Sequence, residues 1–151
     1  NPPGHIQRFV PFMNEGYDVI KGCRYCAGGG VVGVPKNAYL ISRIGNLVAR
    51  LLFGFAVADA TNGFRAIRTE LFLKMPLKEK GFVIIMEELM WAQRYNCTVT
   101  NVATTLYSRS AEQRPTMFNY TVRQVCVYLK YAMMARFSRP ALPANPASRL
   151  Q

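Results

Sequence analysis

The segment 37–54 constrains this chain most. Leu40, Ile41, Ile44, Leu47, Val48, Leu51 and Leu52 recur with the 3.6-residue period of an amphipathic helix. Lys36, Arg43 and Arg50 recur every seven residues on the other side. Two architectures accept such a helix. It can pack its apolar stripe into a protein core, or it can lie on an anionic membrane with that stripe in lipid. Periodicity alone does not separate them. A span is excluded, because no run reaches the roughly 18 to 20 apolar residues that crossing requires. Arg43 and Arg50 interrupt this segment, and Arg123, Lys130 and Arg136 interrupt the second apolar helix, predicted over 116–137.

Around these two helices the pattern alternates. A short helix is expected over 5–14 after Pro2-Pro3, with Ile6, Phe9, Val10 and Met13 on one face. Residues 17–21 read as a buried strand, 27–35 as a glycine-rich loop, and 59–69 as a turn leading into a strand. A short helix over 70–75 stops at Pro76, and another is expected over 85–95. Residues 98–106 are β-branched and alternating, hence a single strand. Residues 108–115 form a polar basic loop, and 138–151 a proline-rich tail expected to be disordered. Strands alternating with helices argue for an α/β fold. The first element is a helix and the first strand lacks a preceding parallel partner. The chain therefore reads as the second half of a doubly wound fold.

The chain has 151 residues, enough for one core, and half of them are apolar, which argues against disorder. Nineteen basic residues against 8 acidic ones give +11, so an anionic partner is expected. Nucleic acid is not the expected one. The basic residues are scattered among helical apolar patterns, with no zinc-finger spacing and no paired aromatic strand motifs. Cys23 and Cys26 form a CxxC, but Cys97 and Cys126 do not form a second, and His5 is the lone histidine. A four-ligand zinc site is thus not expected, and the cysteines read as free thiols.

The densest polar cluster is Asp59-Ala60-Thr61-Asn62-Gly63-Phe64-Arg65, set between apolar runs. It resembles the Asp-x-Thr-Ser-Gly-Phe-Arg signature of the polyprenol-phosphate glycosyltransferases of family 2. Other stretches resemble that family in the same order. Asn1-Pro2-Pro3-Gly4-His5-Ile6 is similar to its Pro-Pro-Glu-x-Ile element, and Gly22-Cys23-Arg24-Tyr25 to its Gly-Ser-Arg-Tyr. Gly28-Gly29-Gly30 resembles the glycine loop that follows, and residues 40–46 its Leu-Ile-Ser-Arg-Gly-Ala-Asn. Gly81-Phe82 with Met86-Glu87, and Arg109, resemble its later elements. The resemblance covers residues 1–137. The chain departs from it at Cys23, a usual serine, at Ala103, a frequent proline, and at Ala38, a frequent arginine with Lys36 two residues earlier.

The resemblance implies the C-terminal, acceptor-side half of a GT-A nucleotide-diphospho-sugar transferase fold over 1–137. It implies transfer of a mannose- or glucose-like sugar from a nucleotide-sugar to polyprenyl or dolichyl phosphate, by a peripheral enzyme at the cytoplasmic membrane face. The family's nucleotide-binding half and its Asp-x-Asp motif for Mg²⁺ or Mn²⁺ are expected upstream of Asn1, so this chain holds no metal ligands for the donor and is expected to be inactive alone. Arg24, Ser42 and Arg109 would bind the acceptor phosphate or the pyrophosphate, and Lys36, Glu87 and Arg65 would support them. Asp59, grouped with Arg24 as catalytic, would accept a proton, orient the acceptor or hold Arg24 by an ion pair. Such chemistry suits an arginine-rich site. A phosphate monoester is already largely dianionic, with a second pKa of about 6, so it needs cations and donors more than a base. Each residue also has a plainer reading. Arg24 can be a surface arginine at a strand end, Ser42 a small residue on a helix face, Arg109 ordinary loop charge, Asp59 a turn residue and Glu87 part of a solvated face. The rival class is a non-catalytic basic module on a membrane surface or nucleic acid. Liposome flotation against a nucleic-acid shift assay would separate its two ligands, but it does not explain the two spaced motifs.

Overall fold

The structure is a computed structural model and describes residues 3–53, 57–108 and 122–137. Residues 3–9 form a 3-10 segment that runs into a single α-helical turn, α1 (Val10–Asn14), in place of the continuous helix expected there. Gly16 closes it with φ of +85°, a conformation favourable to glycine. Then come β1 (Val19–Cys23), β2 (Gly30–Val32) and α2 (Lys36–Phe53). The turn 59–64 leads into β3 (Arg65–Ile67), followed by α3 (Thr69–Lys74) and α4 (Ile84–Arg94). β4 (Val99–Ala103), β5 (Thr105–Tyr107) and α5 (Val122–Phe137) complete the described elements.

The fold is mixed α/β. Central β1 is parallel to β4 and antiparallel to β3, and every one of its five residues is buried. Burial on both faces explains the small and β-branched residues at Val19, Ile20, Gly22 and Cys23, which Lys21 alone interrupts. The single strand expected over 98–106 is two strands. Thr104 leaves the first sheet, its amide donating to Cys23 O and its carbonyl accepting from Gly30 N. β5 then pairs in parallel with β2, so Thr104 passes the chain from one sheet to the other. Period-2 alternation continues through such a junction and conceals it.

The largest core cluster joins α2, α4 and α5 through Ala49, Phe53, Met86, Leu89, Met90, Tyr131, Ala132 and Ala135. On the far side of the sheet, Ile20 and Val102 pack with Phe9, whose ring meets Phe64 edge-on at 4.9 Å. Of the two orientations open to it, helix α2 takes the one that turns most of the apolar stripe outward. It buries Ser42, Asn46, Ala49 and Phe53 and leaves Leu40, Ile41, Ile44, Leu47 and Leu51 more than half exposed. The stripe read from the sequence is therefore not its core face. On α5, Val125, Met133 and Phe137 likewise face outward. Among the described residues, no helix is long and apolar enough to cross a membrane.

Candidate functional site

β1 ends at Cys23, and antiparallel pairing of β3 with β1 folds the turn 59–64 back beside that end. The approach is close: Gly22 N donates to Phe64 O, and a Cβ on Gly22 would lie 2.8 Å from that carbonyl. Glycine at the head of Gly22-Cys23-Arg24-Tyr25 follows from that packing.

Asp59 is fully buried at this junction. Its Oδ2 accepts from the Arg24 amide at 3.0 Å and from Arg24 Nε at 2.6 Å, and its Oδ1 accepts from Arg24 Nη2 at 2.7 Å. This is a bidentate ion pair braced by a backbone bond. Arg24 Nη2 also donates to Thr61 Oγ1 at 3.0 Å. Asn46 binds the same turn twice, through Nδ2 to Thr61 Oγ1 and by accepting from Thr61 N, and its Nδ2 reaches back to Ser42 O. Tyr25 donates to Ser42 Oγ at 2.7 Å. Asn62 turns inward, donating to Gly22 O and accepting from Phe64 N. The structure thus brings Arg24, Ser42 and Asp59 together. Of the roles open to Asp59, its geometry is that of an ion pair, with both oxygens on Arg24.

The remaining candidates lie elsewhere. Arg65 pairs with Glu88 of α4, its Nη2 lying 2.5 Å from Oε1, and donates to Gly63 O. It braces the turn from behind. Glu87 neither pairs with a site arginine nor sits on a solvated face. It is buried and accepts from Lys78 N and Glu79 N, closing the loop ahead of α4. Lys36 is exposed at the start of α2. Arg109 lies outside the described residues. Among the described residues, no group of three or more His, Cys, Asp or Glu side chains could hold a metal ion. Asp59 does not fit that purpose, since both its oxygens are engaged by Arg24. The four cysteines are free, and burial together with the Cys26 thiol pushes the Cys23 thiol up to about 12, leaving it inert as a nucleophile.

Lys21 is the residue that reading by sequence missed. A lysine in an apolar strand was itself the signal. It is wholly buried in β1, and its Nζ donates to Asn62 O at 2.6 Å and Ala60 O at 3.3 Å, supporting the turn from beneath. Burial, aided by Arg65, pulls its ammonium down to about 7, against the opposing pull of Asp59 and Glu88; Arg24 adds to the lowering. The unfolded chain then binds more protons than the folded one between about pH 7 and the ordinary lysine value of 10.5. Stability contributed by this group therefore rises with pH across that window and is flat below it. Buried Cys23 and half-buried Cys97, each pushed up to about 12 from 9.0, act oppositely above pH 9. Comparing wild type with Lys21→Met isolates the lysine. Urea unfolding from pH 6 to 9 should show wild type gaining on the variant, with a slope approaching about 1.4 kcal/mol per pH unit. Parallel curves would show that Lys21 stays protonated in the fold.

A mixed α/β scaffold that gathers an arginine, a serine and a buried aspartate at a strand end is compatible with a glycosyltransferase-like protein, and sequence comparison points the same way. The chain is similar to the polyprenol monophosphomannose synthase of Mycolicibacterium smegmatis, 32% identical over 92 residues, covering 59% of this chain and 34% of that protein. It is 33% identical over 92 residues to the dolichol-phosphate mannosyltransferase of Pyrococcus furiosus, covering 60% of this chain and 26% of that one. It is 35% identical over 74 residues to the dolichyl-phosphate hexose transferase of Haloferax volcanii, covering 46% and 30%. The chain thus spans about a third or less of the length of these curated relatives. No protein-family model matches it. These relatives bear out the resemblance read from the motifs: the chain carries a polyprenol- or dolichol-phosphate-mannosyltransferase-like segment.

Proposed function

We propose that this chain is the acceptor-side part of a GT-A glycosyltransferase that moves a hexose from a nucleotide-sugar to a polyprenyl or dolichyl phosphate. The observation that carries the reading is Arg24 locked onto buried Asp59 beside the Ser42 hydroxyl. A guanidinium fixed in this way is oriented before any ligand arrives, so little side-chain entropy is lost on binding. The acceptor phosphate supplies its own nucleophilic oxygen, and Asp59 organises Arg24 without taking a proton. The donor's Mg²⁺ or Mn²⁺ and its ligands belong to a part of the enzyme outside this chain. The outward apolar face of α2, with Arg43 and Arg50 beside it, suits a peripheral seat on an anionic, cytoplasmic membrane face.

The test is sugar transfer to polyprenyl phosphate by the protein that contains this chain joined to a nucleotide-sugar-binding part. Arg24→Gln should lower kcat/KM by about a hundredfold or more, the loss expected when a charged donor to a reacting phosphate is removed. Nucleotide-sugar binding should persist. Unchanged turnover would remove Arg24 from the acceptor site. The 151 residues alone should transfer nothing, and measurable transfer by them would overturn that part of the reading.

A further inference from the structure

Tyr25 stands at the centre of a contact set that the site described so far does not use. The Arg24 guanidinium lies 5.0 Å from its ring centroid and the Arg43 guanidinium 5.2 Å from the same centroid, both within cation–π range. Tyr39 meets the ring at 5.7 Å, steeply inclined. The Tyr25 hydroxyl donates to Ser42 Oγ. Helix geometry explains the gathering: Tyr39, Ser42, Arg43 and Asn46 occupy positions i, i+3, i+4 and i+7 of α2 and so share one face.

We propose that Tyr25 and Arg43 complete an anion subsite with Arg24 and Ser42, and that Arg43 is the cation that closes on a phosphate monoester there. This rests on the reading above that the site receives a phosphate. Two observations support it. Arg24 already carries Asp59, whereas Arg43 is exposed and has no carboxylate partner among the described residues. Its charge is therefore uncompensated locally, and the tyrosine ring holds it on the Arg24 side of the helix. The second observation is the 2.7 Å hydrogen bond between the Tyr25 and Ser42 hydroxyls. A serine hydroxyl has one proton and two acceptor positions, so Ser42 can hold Tyr25 and a ligand oxygen at once. Tyr25 is thus a positioning residue for both partners, and Arg43 and Ser42 are binding residues.

The experiment is titration of farnesyl phosphate, below its aggregation concentration, into the 151-residue chain. Farnesol and inorganic phosphate serve as comparison arms. Wild type should bind farnesyl phosphate, inorganic phosphate should compete with it, and farnesol should not. Arg43→Gln should weaken binding by about tenfold, the loss of one charge-assisted contact, with an unchanged thermal midpoint because the residue is exposed. Arg43→Lys should fall between the two. Tyr25→Phe should weaken binding by about threefold by removing the bond that orients the Ser42 hydroxyl. Wild-type affinity in Arg43→Gln would overturn the subsite while leaving the acceptor-phosphate reading intact. Failure of wild type to bind farnesyl phosphate, or of inorganic phosphate to compete, would overturn that reading and the subsite with it.

Discussion

Replacing Asp59 with asparagine should lower the thermal midpoint of this chain by about 10 °C. The reason is the direction of its hydrogen bonds. Both carboxylate oxygens accept, Oδ2 from the Arg24 amide and Nε, and Oδ1 from Nη2. An asparagine must turn its NH₂ toward one of these groups, whichever way it is flipped, so a donor faces a donor. The charge that balances Arg24 is lost at the same time. Removing one partner of a buried pair costs about 3–5 kcal/mol, and a domain of this size loses about 2–4 °C per kcal/mol. The Arg24 side chain retains 12% exposure, which sets the expectation at the lower end. Asp59→Ala should cost at least as much. Melting curves followed by circular dichroism measure this, and a shift below about 3 °C would mean that water replaces Asp59 around Arg24.

The second large effect separates neighbouring glycines. Gly29→Ala should destabilise the chain by about 3 kcal/mol, the upper end of the cost of overpacking, and abolish binding of a prenyl phosphate. A Cβ on Gly29 would lie 2.5 Å from Cys23 O and 2.9 Å from the carbonyl carbon and oxygen of Arg24. All three are backbone atoms. Cys23 O cannot retreat without breaking its bond from Thr104 N, which links the two sheets. The segment 23–29 would have to open, taking Arg24 from Asp59. Gly30→Ala meets only the Thr105 side chain at 3.5 Å, an ordinary contact, and should be nearly silent. Denaturant titration of both variants, with farnesyl phosphate binding alongside, decides the matter. Equal effects would mean that the loop, and not one close contact, sets the tolerance.

The site was readable from sequence where chemistry is local. Arg24 and the 59–65 cluster stood out because a strand end and a tight turn each concentrate polar groups in few residues. Their joining is a matter of topology, since β1 and β3 are antiparallel neighbours separated by α2. Asn46 was overlooked because a polar residue inside an amphipathic helix reads as part of its wet side. It faces inward, tying Thr61 to Ser42. Glu87 and Glu88 could not be told apart in sequence, yet one closes a loop and the other pairs with Arg65. A side-chain period does not say which neighbour a helix meets. The break at Thr104 was invisible for a related reason, because both strands it separates alternate in the same phase.

Up to Phe53 at its end, helix α2 turns small and polar residues toward the core and most of its large apolar ones outward. Its inner contacts are the hydrogen bonds of Ser42 and Asn46 and the packing of Ala49 and Phe53, and these do not depend on the outward-facing Leu40, Ile41, Ile44, Leu47 and Leu51. Solubility and stability are therefore separable properties of this helix. Polar replacements at Leu40, Ile44, Leu47 or Leu51 act on the first and spare the second, whereas added bulk at Ser42 or Ala49 does the reverse. An engineer guided by hydrophobicity alone would reinforce the wrong face.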